Sequence, residues 1–399
     1  MKNNNGRNNI RVFLMATMAL LVILSGCGQD ATKTNSGEKE YGPGITDDTI
    51  LLGTYGAKTG PIAFIGEQVE DGLRAYIEHI NKDGGINGRT IELMMEDDEY
   101  QPPKSVAAAR KLVEQVQVFS ILAPVGTPNV MATLPYLEEQ GVPVFAPYTP
   151  LRELTSPKRE LIFAILPDYY SQMAVLTEYL IEKEFQKFVM LYQDDQVGEE
   201  GLSAVEDVLV EHGLQLEGKI PMERDVTDFS SYVLSAQEKN PDVILVMSTS
   251  VNLSKILNEA KKYNVDVPFA TYSSGSDPQV SELAGDAANG LITQTVTSLP
   301  NQTDEGMEEY LSILQDYNPD AKVGHYTMFG YAAAKAMIQV LEECGDNLTR
   351  ENFITTAESM GEISLDIMPN IQFSKESHAG TTSVQMVTWK DGQVQPLTN

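Results

Sequence analysis

The chain is 399 residues long, and 57 Asp and Glu against 28 Lys and Arg leave it a formal charge of -29. A surface this acidic repels phosphate backbones, which argues against nucleic acid as a partner; it favours solubility and says nothing about fold. Two cysteines, Cys27 and Cys344, are too few to build a disulfide scaffold.

In chain order, Lys2, Arg7 and Arg11 precede an apolar run from Val12 to Leu24, broken only by Thr17. A basic start followed by an apolar stretch this short reads as an export signal, since a spanning helix wants about 20 apolar residues. The run ends in Leu24-Ser25-Gly26-Cys27, which resembles the lipobox of bacterial lipoproteins. That resemblance implies removal of residues 1–26 and lipidation of Cys27. Losing three basic and no acidic residues then moves the formal charge from -29 to -32. Residues 27–45 read as the lipidated cysteine and a flexible, polar tether.

About 355 residues remain, more than one hydrophobic core usually holds, so two lobes are expected. From residue 45 strand and helix patterns alternate. Strands are predicted at 49–55, 90–95, 119–122 and 143–145, with helices over 66–82, 103–116 and 128–140 between them. Val69, Leu73, Ile77 and Ile80 mark one face of the first helix, and Gly84-Gly85 end it. The alternation restarts with strands at 187–192, 215–220, 243–247, 268–272 and 290–293. Helices fit at 170–184, 199–212, 228–239, 252–263 and 278–284, and two longer ones follow at 303–317 and 325–344. The chain ends in a hairpin pattern with Asp391-Gly392 at its turn. Strands separated by helices imply an α/β fold of two doubly wound parallel-sheet lobes, with ligands at the carboxyl ends of strands or between the lobes.

No catalytic or metal-binding constellation stands out. His79, His212, His325 and His378 are scattered singly and read as surface or packing residues. No nucleophile elbow, phosphate loop or calcium loop is present. The pairs Asp97-Asp98 and Asp194-Asp195 read as solvated carboxylates. Cys344 closes a helical pattern and reads as a half-buried inert thiol. The chain is therefore expected not to be an enzyme and to need no cofactor and no metal.

Residues 50–64 (I-L-L-G-T-Y-G-A-K-T-G-P-I-A-F) resemble the opening of type I periplasmic binding proteins of the Leu/Ile/Val-binding group. Further matches are G-G-I-N-G-R at 84–89, D-D-E-Y-Q-P-P-K-S at 97–105, E-E-Q-G-V-P-V at 138–144, E-L-T at 153–155, A-G-D-A-A-N-G at 284–290 and Y-A-A at 331–333. Their order and spacing carry the resemblance over nearly the whole mature chain.

The resemblance implies three crossover segments, near 163–168, 291–297 and 366–371. Lobe one would be 46–165 with 295–367, and lobe two 166–294 with 368–399. It also implies a ligand site made of Thr59, Thr127, Tyr148, Thr149, Gln196, Thr249 and Ser273. Thr127 stands at the start of the helix after strand three, a natural seat for a carboxylate. Tyr148 and Thr149 follow strand four, where a strict count places Pro150 at the family's threonine. Val197 and Thr249 fall where the family often has aromatic lids. Ser273 falls where amino-acid binders carry a glutamate for the ligand ammonium. Either Asp194, Asp195 or Asp277 supplies that charge, or the ligand is not an α-amino acid.

The implied function is a solute-binding lipoprotein of an ABC importer. It would be a monomer held on the outer face of the bacterial cytoplasmic membrane, or the periplasmic side, by its lipid anchor alone. A branched-chain amino acid, a related amide or a small carboxylic acid would be handed to permease subunits. The alternatives are a ligand-sensing lipoprotein that presents its ligand to a membrane receptor without transport, and a hydrolase on the same scaffold.

Overall fold

Residues 41–60, 62–223 and 226–397 are described by the computed structural model. The export signal, Cys27 and most of the tether lie outside them. Tyr41 and Gly42, which the sequence places in the tether, belong to the folded unit. The Gly42 N–H donates to the Leu348 carbonyl at 2.9 Å, and the Tyr41 hydroxyl accepts from Arg89 at 2.8 Å.

The first sheet contains β1 (Thr49–Gly56), β2 (Thr90–Asp97), β3 (Ile121–Leu122), β4 (Val144–Phe145) and β5 (Ile162–Phe163). They lie in the order β2-β1-β3-β4-β5, all parallel. Parallel neighbours need long crossovers; α1 (Ala63–Lys82), α2 (Pro102–Arg110) and α3 (Thr127–Glu139) supply the first three, and a loop with a 3-10 turn at Arg152–Leu154 leads from β4 to β5. After α2 the backbone widens into a π-helical segment, Lys111–Val116, which ends on Gln117 at a φ of 59°. The sequence-predicted helix over 103–116 is thus two kinds of helix end to end.

The second sheet begins after α4 (Tyr169–Glu182). It contains β6 (Phe188–Gln193), β7 (Leu216–Met222), β8 (Val243–Met247), β9 (Phe269–Thr271) and β10 (Ile292–Thr295). Between them run α5 (Gln196–Glu211), α6 (Ser230–Gln237), α7 (Ser250–Lys262) and α8 (Pro278–Ala284). The parallel part runs β7-β6-β8-β9-β10, the same winding as the first sheet. Both sheets therefore reverse direction beside their first strand, and such switch points open crevices for ligands.

The chain then returns to the first lobe with α9 (Glu305–Tyr317), α10 (His325–Glu343) and α11 (Arg350–Ser359), and pairs β11 (Glu362–Ile363) with β12 (Ile371–Gln372). It ends in the second lobe with β13 (Gln385–Lys390) and β14 (Gln393–Pro396). The hairpin predicted from Asp391-Gly392 is present, both residues at positive φ as a primed turn requires. Its β13 pairs antiparallel with β10, so the second sheet is mixed at one edge.

The three passages between sheets are laced together. Ala164 accepts from the Gly380 N–H and donates to the His378 carbonyl, and the Ser298 N–H donates to the Ile367 carbonyl at 2.7 Å. Cys344 is buried at the end of α10, and burial pushes its thiol up, away from the reactive thiolate form. Among the described residues no helix is long and apolar enough to cross a membrane.

Candidate functional site

The loops at the carboxyl ends of both sheets face one another across a small cavity. From the first lobe come Ile62 and Ile65 at the start of α1, Tyr100 after β2, Val125, Gly126 and Thr127 after β3, and Tyr148 and Pro150 after β4. The second lobe contributes Tyr169 at the start of α4, Gln193 and Val197 around the β6–α5 turn, Thr249 after β8, and Tyr272, Ser273 and Ser274 after β9. Leu166 comes from a crossover, and His325 and Tyr326 open α10. Its volume is about 70 Å³, roughly half that of an engineered apolar cavity that holds benzene.

Local backbone sets these groups in place. Ala123 and Ala146 hold φ of 49° and 52°, conformations that cost a non-glycine residue roughly 1–3 kcal/mol. They turn the chain sharply after β3 and β4. The Gly126 N–H then donates to the Tyr148 carbonyl and the Tyr148 N–H to the Pro124 carbonyl, locking the two loops together. Gly126 itself has a φ of 105°, and a Cβ there would stand 2.7 Å from the Tyr100 ring. In the second lobe, Trp389 of β13 donates its indole N–H to the Gly275 carbonyl at 2.6 Å and pins the Ser273–Ser276 turn.

A chain of hydroxyls crosses the site. Thr149 donates to the Thr127 oxygen at 2.6 Å, and Thr127 lies 3.5 Å from the Tyr169 hydroxyl of the opposite lobe. The N-terminus of α3 has no side-chain cap. Tyr148 pairs with Nε2 of His325 at 3.1 Å. Tyr326 pairs with Ser250 of the opposite lobe at 3.3 Å. Burial pushes the hydroxyls of Tyr148, Tyr169, Tyr272 and Tyr326 up and pushes His325 down to about 4, so these groups are neutral near pH 7.

Of the residues singled out from sequence, Thr127, Tyr148, Thr249 and Ser273 line this cavity. Thr249 also caps α7, accepting from the Asn252 N–H. Thr149 does not line it: it is fully buried behind Thr127, and Pro150 stands at the wall instead. Thr59 is exposed and donates to Asp97 at 2.8 Å, away from the cavity. Gln196 is exposed on the outer side of the turn whose neighbours Gln193 and Val197 face inward.

Sequence reasoning missed Tyr100, Tyr169, Gln193, Tyr272, Ser274, Tyr326 and His325, the last assigned there to packing or surface. His212, paired with Glu178 on the surface, and His378, buried on the Phe163 ring, do fit that description.

The comparisons agree with this fold. Residues 49–393 match the model of the family described as periplasmic binding protein. A leucine-, isoleucine-, valine-, threonine- and alanine-binding protein of Pseudomonas aeruginosa is 24% identical over 302 residues, 75% of this chain and 79% of that protein. The Leu/Ile/Val-binding protein of Escherichia coli K12 is 24% identical over 61% of this chain and 67% of its own length. Among solved structures, a fatty acid ABC transporter substrate-binding protein from Thermomonospora curvata aligns with a TM-score of 0.82 at 22% identity, over 90% of this chain and 93% of that one. A branched-chain amino acid transporter substrate-binding protein of Streptococcus pneumoniae, in complex with isoleucine, aligns with a TM-score of 0.77 at 17% identity, over 87% and 98%. With a family match that spans both lobes, the chain belongs to the periplasmic binding protein family and is similar within it to the Leu/Ile/Val-binding group.

Proposed function

We propose that this protein is the solute-binding component of an ABC importer, lipidated at Cys27 and held outside the cytoplasmic membrane by that anchor. In this reading residues 46–165 with 295–367, and 166–294 with 368–399, are the two lobes that close over one small polar ligand. The ligand is a branched-chain amino acid or a related amide or small carboxylic acid, which the closed protein delivers to permease subunits. The observation that carries this reading is the cavity itself: both sheets turn their strand ends to it, and hydrogen bonds such as Tyr326 to Ser250 cross between lobes around it. Such contacts exist only when the lobes are together, so a ligand that completes the wall shifts the population toward closure. Relatives whose names specify amino acids and one whose name specifies a fatty acid share the scaffold, which leaves the ligand to be read from the site.

A thermal-shift screen against amino acids, amides and small organic acids tests the reading. A ligand at 100 times its Kd adds about 2.7 kcal/mol of stability, so a saturable rise without consumption of the compound is expected. No saturable compound, or turnover of the one that binds, sinks the proposal.

A further inference from the structure

Resting on that ligand site, the cavity wall narrows what it can hold. Among the described lining residues there is no Asp, Glu, Lys or Arg. The carboxylates that sequence offered as partners for an ammonium stand outside this lining. Asp194 is exposed. Asp195 caps α5, accepting from the Val197 and Gly198 N–H groups through Oδ1 and from the Gln193 amide through Oδ2. Asp277 accepts from the Gln279 N–H at 2.9 Å; its Oδ2, buried without a hydrogen-bond partner, stands beside Gly324 in a neighbouring cavity and not in this lining.

An ammonium brought into this wall would lose its water and gain no carboxylate, at a cost of several kcal/mol. Facing tyrosine rings return about 2 kcal/mol or somewhat more when desolvated, without the hydrogen bonds that a carboxylate would accept from the ammonium. An acceptor oxygen meets the opposite situation. Thr127 already accepts from Thr149, so its own proton points away from Thr149, with only the Tyr169 oxygen at 3.5 Å to compete with a ligand for it. The uncapped start of α3 adds backbone N–H groups beside it, the seat on which a carboxylate or carbonyl is stable. Nδ1 of His325 is buried without a partner on the same wall, although Nε2 is paired with Tyr148. A neutral imidazole with one nitrogen engaged keeps the other to hydrogen-bond a ligand.

We infer that the cavity takes a small carboxylic acid or its amide and discriminates against the corresponding α-amino acid. The acceptor oxygen sits at the start of α3 beside Thr127, and the apolar remainder lies among Ile62, Ile65, Val125 and Leu166.

Calorimetric titration of the protein with two matched series tests this. One is isovalerate, isovaleramide, L-valine and isoamylammonium; the other is propionate, propionamide, L-alanine and propylammonium. In the series that fits, the tighter of acid and amide is expected to bind at least about tenfold more tightly than the amino acid or the amine, a difference well above error. An amino acid or amine that binds as tightly as both its partners overturns the inference. Should none of the eight bind, the strongest hit of the wider screen decides: an ammonium-bearing compound overturns the inference, an ammonium-free acid or amide supports it. A screen with no hit at all removes the binding function itself, a separate failure. Ser273→Glu supplies the missing carboxylate and should raise the affinity ratio of L-valine to isovalerate by about tenfold; an unchanged ratio in the folded variant contradicts the assigned cause.

Discussion

Asp277 shows how one residue answers several demands at once. It opens α8 as a cap, it is only 2% exposed, and it lies against the start of α10, whose first residues enter the ligand cavity. Burial outweighs the Gln279 and His325 N–H groups that favour its charge, with Glu282 adding to the rise and Lys322 opposing it, and its carboxyl is pushed up to about 6. A carboxyl raised in the folded state binds a proton there that the unfolded chain has already lost. Its favourable share of stability is therefore full below about pH 4 and is lost as pH rises through about 6. Over that window the shift of about two units corresponds to roughly 3 kcal/mol. Asp277→Asn removes the titration but keeps a capping oxygen. Relative to wild type, the variant should gain up to about 3 kcal/mol between pH 4 and pH 7 in urea unfolding; a pH-independent difference contradicts the assignment. None of this was legible in the sequence, where Asp277 is one carboxylate in a very acidic chain and its burial comes from another lobe.

At the scale of elements, α1 and α10 cross at two glycines. A Cβ on Gly72 would stand 2.1 Å from the Thr327 carbonyl oxygen, and one on Gly330 would stand 2.2 Å from that of Val69. Neither distance can be met without moving backbone, so the helices touch main chain to main chain. Gly330→Ala gains helix propensity worth up to about 1 kcal/mol but forces the helices apart, at a typical cost of 1–3 kcal/mol or more for overpacking. A net loss of about 2 kcal/mol in denaturant unfolding is expected, with weaker ligand binding because α10 carries His325 and Tyr326; an unchanged variant places the glycines outside the packing argument. Helices such as α1 and α7 were legible from periodicity because one face is buried and the other solvated. By contrast, α11 buries only Phe353 and Ala357, and β5, β11 and β12 are two residues each, too short for any period to register.

For the whole molecule, the alternation of strands and helices was enough to indicate two parallel-sheet lobes, because a parallel neighbour demands a crossover and the crossover is visible as a pattern. The site was legible only where a residue follows a strand directly, as Thr127, Tyr148 and Ser273 do. His325, Tyr326 and Tyr169 reach the cavity from helix starts that the fold carries there, at distances in sequence that no local pattern encodes. Lys322 and Glu282, 2.7 Å apart across the seam, likewise meet only because the lobes are closed. The central claim is that closure encloses the ligand between the two sheets. The crystal structure of the protein with the tightest-binding compound tests it most directly. The account predicts that compound in the cavity, with an oxygen at the start of α3 beside Thr127 and contacts to Tyr148, Ser273 and His325; a compound bound anywhere else, or converted to product, contradicts it.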